Sequence, residues 1–104
     1  MPKDEPLKYQ IHDGPAAMRF QLAGSLSGRG AESLHCAWQT ALSILGDRPL
    51  IMDITSVTDA DDQGRRLFRL WREHRVLIHA ASRESRALVE DVLGVAAAVA
   101  YADL

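Results

Sequence analysis

Apolar residues recur along this chain with two different periods, and the changes of period mark out seven elements. Between Lys8 and His12, and again between Ala17 and Ala23, the period is two; in the second run Met18, Phe20 and Leu22 alternate with Arg19, Gln21 and Ala23. Such alternation makes a strand with one buried face. The intervening Asp13-Gly14-Pro15 is a turn cluster, so the two runs are expected to pair as a β-hairpin. Gly24–Gly30 holds three glycines and reads as a loop. The period then lengthens: Leu34, Ala37, Trp38, Ala41, Leu42 and Leu45 form one helical stripe, which Gly46 stops and Pro49 prevents from continuing. Leu50–Ile54 is apolar on both faces apart from Asp53, the pattern of a central buried strand. A second helix is expected from about Asp62 to Arg75, with Leu67, Phe68 and Trp71 inward. Val76–Ala80 reads as a short strand, and Ser82 as the cap of a third helix carrying Ala87, Leu88, Val92 and Leu93 and ending near Gly94.

The predicted order is therefore β-β-α-β-α-β-α. Two β-α-β crossovers imply parallel strands, and the opening hairpin adds an antiparallel pair. The expected fold class is α/β, a small mixed sheet with helices packed on it. Residues 1–6, with two prolines and three charges, read as a flexible leader, 7–94 as the domain, and 95–104 as an Ala-rich tail.

Composition narrows the class of job. A length of 104 residues supports one core. Apolar residues at 47% and charged residues at 25% are ordinary for a globular protein. A net charge of −2 gives no bulk reason to expect nucleic acid or an anionic membrane as partner. The single cysteine, Cys36, excludes an internal disulfide and fits a reducing compartment. The longest weakly polar run, Val92–Ala102, falls well short of the ~20 residues that span a bilayer, and no secretory leader opens the chain, so a cytoplasmic domain is expected.

The segment Leu50–Gly64 carries the most information. An apolar run ends in three acids, Asp59, Asp61 and Asp62, and a helical pattern follows at once. A strand feeding a helix presents backbone N–H groups and polar side chains at an edge where partners bind. Three carboxylates suit Mg²⁺ or Ca²⁺, but the rest of a calcium-loop pattern is missing and helix capping explains them more cheaply, so no metal is expected. Arg65, Arg69 and Arg72, with Arg66 and Arg75 nearby, form a basic stripe. It fits either an acidic partner surface or a solvated face whose first arginines pair with Asp61 and Asp62. His35 and Cys36 point about 100° apart on a helix and cannot converge on a substrate or metal. His35 shares a polar face with Glu32 and Gln39. Ser25, Ser27, Thr55, Ser56 and Thr58 offer hydroxyls that turn and cap chemistry accounts for. Trp38, Phe68 and Trp71 are expected in the core. Gly24, Gly28 and Gly30 lack the spacing and the lysine of a phosphate-cradling loop, and no cofactor is expected.

Three segments in order, Leu22-Ala-Gly-Ser-Leu26, Ile51-Met-Asp-Ile-Thr-Ser-Val57 and Asp61-Asp-Gln-Gly64, resemble the STAS domain family of anti-sigma factor antagonists. The likeness covers roughly Ile11 to Gly94. It implies a non-enzymatic, cytoplasmic bacterial module for protein–protein interaction, in which a Ser or Thr after the motif Asp is phosphorylated by a partner kinase and the complex then breaks. Carried over, Asp61 matches the motif Asp, Asp62 occupies the phosphoacceptor position, and Gln63 and Gly64 complete the motif. Asp62 has no hydroxyl. Phosphoserine would bring ~−1.5 to −2 charges and three acceptor oxygens. Aspartate brings about −1 and two oxygens, a partial and permanent imitation at the positive end of a helix.

The resemblance thus implies a regulatory partner, an anti-sigma factor or switch kinase, bound through Thr58, Asp59, Asp61, Asp62, Gln63, Gly64 and Arg65. It allows a second role, because STAS-like domains also serve as accessory subunits of lipid-type ABC transport complexes, bound to the ATPase subunit. A small-ligand sensor with its site between sheet and second helix is a third reading. An enzyme is the least expected class, since no nucleophile, base and orienter can be assembled from residues that meet.

Overall fold

In the computed structural model, which describes residues 6–94, β1 (Lys8–Asp13) and β2 (Met18–Leu26) form the expected antiparallel hairpin. Gly14 N–H closes the turn on the Ala17 carbonyl at 3.1 Å. α1 (Gly28–Leu45) then returns along the sheet to β3 (Leu50–Ala60), α2 (Asp62–Glu73) to β4 (Leu77–His79), and α3 (Arg83–Leu93) closes the described chain. The order β-β-α-β-α-β-α and the α/β mixed-sheet class are those the periodicity predicts. β2, β3 and β4 are parallel, and the sheet order is β1-β2-β3-β4. Because both crossovers step the same way and crossovers are right-handed, α1 and α2 share one face, where they touch each other.

One face of the sheet is therefore core and the other is open. Met18, Phe20 and Leu22 of β2, Leu50, Met52 and Ile54 of β3, and Ile78 of β4 meet the buried stripes of the helices. From α1 these are Ala31, Leu34, Trp38 and Ala41; from α2, Leu67, Phe68 and Trp71, with both indoles and Phe68 at most 2% exposed. The exposed His74 sets its ring edge-on to Trp38, with centroids 5.2 Å apart. The open face carries Gln10, His12, Arg19 and Gln21. Ile51, on that face, is only half-buried, so β3 is covered by helices on one side rather than on both.

Several boundaries differ from the pattern reading. Gly24–Gly30 is not a loop: Gly24, Ser25 and Leu26 continue β2, Ser27 is the N-cap, and Gly28 opens α1. β3 runs six residues beyond Ile54 because two irregularities in its pairing with β2 reset the alternation. Gln21 lies opposite Asp53 but Ala23 opposite Ser56, so Ile54 and Val57 both point inward although they are three residues apart. Asp53 bridges this bulge. Its Oδ1 accepts the Thr55 N–H at 3.1 Å, and its Oδ2 pairs with the Arg19 guanidinium. Burial pushes the Asp53 carboxyl up, but the bonds from Thr55 and Arg19 outweigh it, and the net shift is below its ordinary value.

Among the described residues β4 pairs only with Ile51–Asp53, and α3 packs against β3 and α2. Thr55 is the anchor: its Oγ1 accepts the Ala81 N–H at 3.0 Å and its carbonyl accepts the Ser82 hydroxyl at 2.8 Å. Ser82 caps α3 as expected, in a reciprocal box with Ser85. Ala87, one of the apolar residues that mark out the third helix, is exposed; Ser85 and Val89 take the buried positions. Arg48 has no counterpart in the prediction. It donates to the Ile44 and Leu45 carbonyls at the end of α1 and pairs with Asp13, tying that helix end to the hairpin. The leader and tail expectations fall mostly on residues 1–5 and 95–104, outside the described residues. Among the described residues no helix is long and apolar enough to cross a membrane.

Candidate functional site

The stretch from Thr58 to Arg65 leaves a single residue outside strand and helix. Thr58, Asp59 and Ala60 belong to β3, Asp61 alone joins strand to helix, and Asp62, Gln63, Gly64 and Arg65 form the first turn of α2. The site therefore lies where the parallel strands β2 and β3 end and α1 and α2 begin.

The three carboxylates take three different partners. Asp59 accepts the hydroxyl of its cross-strand neighbour Ser25 at 2.5 Å, and Ser25, itself 4% exposed, also meets the Ser27 hydroxyl at 2.9 Å. Asp61 caps two helices at once. Its Oδ1 accepts the Gly64 N–H of α2 at 2.9 Å, and its Oδ2 accepts the Gly28 N–H of α1 at 3.1 Å. This matters for α1, whose first turn holds no acid and whose N-cap, Ser27, makes no side-chain cap bond. Two positive helix ends thus share one negative charge. Asp62 occupies the first helical position, is exposed, and makes no side-chain hydrogen bond among the described residues. Capping belongs to Asp61, one position earlier, and leaves Asp62 turned to solvent.

Gly64 is fixed by a close approach. A Cβ there would stand 2.1 Å from the Leu26 carbonyl oxygen and 2.9 Å from the Ala60 Cβ, so only glycine lets α2 start this near the end of β2. The motif glycine has a packing reason on this chain. Arg65 does not pair with Asp61 or Asp62 as one reading of the stripe expected. It reaches α3 and bonds Asp91 at 2.8 Å, while Arg72 donates to the Leu93 carbonyl. Arg66 and Arg69 make no ion pair among the described residues. Of the other hydroxyls, Thr58 donates to the Gly24 carbonyl at 3.3 Å and Thr55 holds α3, whereas Ser56 is exposed on β3.

Beside the start of α2 lies a notch of about 190 Å³ between α1 and α2. Its floor is Ala31, Leu67 and Leu70; Glu32 and His35 of α1 face Gln63 and Arg66 of α2 across it. His35, expected on a polar helix face, is half-buried here and packs against Trp38 with ring centroids 5.8 Å apart. The helical period places His35 beside Glu32, but the turn of α1 toward α2 that makes them a notch wall depends on tertiary packing.

No protein-family model matches the chain, and no curated protein sequence matches it. A solved structure is similar in fold: an uncharacterised protein from the DUF3478 family, with a SpoIIAA-like fold, from Shewanella loihica PV-4. It superposes with a TM-score of 0.57 at 13% sequence identity, covering 88% of this chain and 79% of that one. The chain therefore shares the SpoIIAA-like fold.

Proposed function

We propose that this chain is a non-enzymatic regulatory module of the anti-sigma-factor-antagonist type, a cytoplasmic bacterial signalling protein that docks a partner through Asp59–Arg65. The observation that carries the reading is the placement of Asp62. On a SpoIIAA-like fold it stands one residue after the cap, solvent-facing and free of side-chain hydrogen bonds among the described residues, at the positive end of α2. The partner would be an anti-sigma factor or switch kinase, which meets a fixed negative charge in place of a hydroxyl that can be phosphorylated. The monotonic strand order supports surface docking over a nucleotide crevice, because a doubly wound sheet opens its crevice where strand order reverses.

Parallel pull-downs with wild type and Asp62→Ser, followed by ATP and the recovered kinase, test this. Asp62→Ser should gain one phosphoryl group and lose the partner as it does so, while wild type stays unmodified and its binding does not respond to ATP. A serine variant that is never phosphorylated, or a partner indifferent to Asp62→Ala, would count against the proposal. Asp62→Ala itself should change stability by no more than ~0.5 kcal/mol, since the ~0.3–1 kcal/mol that an exposed acid contributes at a helix start is offset by the higher helix propensity of alanine. The missing hydroxyl also suits an accessory subunit held permanently on a transporter ATPase, and co-purification with such an ATPase would select that role.

A further inference from the structure

We infer that the α1–α2 notch is the anchor point of the docking surface, taking one bulky apolar side chain from an acidic segment of the partner protein. This inference rests on the protein-docking reading above and adds the partner's chemistry to it. At about 190 Å³ the notch is smaller than the ~300 Å³ at which small-molecule pockets begin, but it has room for a large side chain. Its floor of Ala31, Leu67 and Leu70 is apolar, and Leu70 is only half-buried, so an inserted ring would complete its burial. Interfaces concentrate their binding energy at such central pockets, where an aromatic or aliphatic anchor is closed off by a polar rim.

Charge selects the occupant. α2 carries four arginines, Arg65, Arg66, Arg69 and Arg72, against two acids, Asp62 and Glu73, in a chain of net charge −2. Arg65 is already held by Asp91 and Arg72 by the Leu93 carbonyl. Arg66, on the notch wall, and Arg69, one turn away on the same helix, have no carboxylate partner among the described residues. Glu32 faces Arg66 across the notch without pairing to it. Acids flanking the anchor would supply the missing counter-charges for Arg66 and Arg69 and set the register of docking. Gln63 belongs to both the first turn of α2 and the notch wall, so the anchor and the Asp62 charge fall within one footprint. Two larger hollows carry less: one crosses the polar open face of the sheet at Lys8, Gln10 and Gln21, and the other abuts Pro6, where the described residues begin.

The test is an amide-resolved NMR titration of the full chain with three synthetic peptides. They are acetyl-Glu-Glu-Phe-Glu-Glu-amide, the same peptide with alanine for phenylalanine, and the same peptide with lysine for every glutamate. The first should shift the amides of Ala31, His35, Leu67 and Leu70 at millimolar peptide. The alanine and lysine versions should each bind at least about tenfold more weakly. The double variant Arg66→Glu/Arg69→Glu, at exposed positions that leave the fold intact by circular dichroism, should lose binding of the first peptide and gain the lysine one. Shifts that ignore the phenylalanine, ignore the sign of charge, or do not occur at all overturn the notch as anchor. Shifts confined to Asp61–Gly64 overturn it too, while leaving the Asp62 docking reading standing.

Discussion

Replacing Gly64 by alanine should destabilise the fold, although the same change elsewhere in a helix stabilises it. In an exposed helical turn, Gly→Ala gains about 0.4–1 kcal/mol through the unfolded state. Here the new Cβ would sit 2.1 Å from the Leu26 carbonyl oxygen, and that neighbour is backbone inside a sheet, so it cannot rotate away. Carbon–oxygen contacts settle near 3.3 Å, and the first turn of α2 must therefore lift by about 1 Å. Overpacking of that kind costs ~1–3 kcal/mol. The lift also strains the Asp61 cap on Gly64, worth about 1 kcal/mol. Set against the propensity gain, the net loss is about 1–3.5 kcal/mol. A domain of this size loses ~4–8 °C of Tm per kcal/mol, so thermal circular dichroism should show a fall of ~4–28 °C, with a lower urea midpoint and an unchanged slope. Gly30→Ala is the milder comparison: its Cβ would stand 2.8 Å from the Leu7 Cβ, so residue 7 must shift, but Leu7 precedes β1 rather than lying inside the sheet. An unchanged or raised Tm for Gly64→Ala would refute the close approach of α2 to β2.

Other expectations follow from the same joint and from the bulge in β3. Asp61→Ala should cost ~1–3 kcal/mol because it uncaps two helices, whereas Ser27→Ala, at the nominal N-cap of α1, should cost under ~1 kcal/mol; chemical denaturation ranks the two, and the reverse order would exclude the shared cap. Asp53 titrates below its ordinary value when folded, so it contributes stability above its unfolded pKa, and that contribution is lost as pH falls below about 4 toward the folded pKa. Asp53→Asn should therefore be less stable than wild type at pH 7 and converge on it in acid; a constant gap in urea midpoint between pH 3 and 7 would contradict the assignment.

The element order was legible because each element has a clean period, and the two indoles and Phe68 were legible as core because each falls on the apolar stripe of its own helix, Trp38 on α1 and Phe68 and Trp71 on α2. The misreadings have specific causes. Three glycines suggested a loop at Gly24–Gly30, but Gly24 is buried in β2, Gly28 opens α1 at a positive φ, and Gly30 makes room for Leu7. β3 was cut short because its bulge puts polar Thr55 and Ser56 in sequence before the buried Val57, and a period of two cannot be followed across an inserted residue. The acid cluster was legible at the junction of strand and helix, but not its division of labour. Which carboxylate caps depends on a one-residue offset, and the second helix end that Asp61 serves lies 33 positions away in sequence. Arg65 was assigned to the nearest acids, whereas Asp91 reaches it only because α3 packs on α2.

A strand that turns into a helix through one residue has a thermodynamic consequence for whatever binds there. Asp61 is held by two of its own carboxylate bonds and by its N–H to Leu26, so the joint has little conformational freedom to surrender. Docking on it should proceed with little ordering entropy and as a near-rigid fit, and affinity should be governed by how long the complex lasts rather than by how fast the surface rearranges to form it. It also leaves no slack for a longer connection. One residue added between Ala60 and Asp62 would have to be looped out, because buried Leu67, Phe68 and Trp71 fix the face α2 presents, and it would pull the Asp61 carboxylate away from one of the two helix ends it caps.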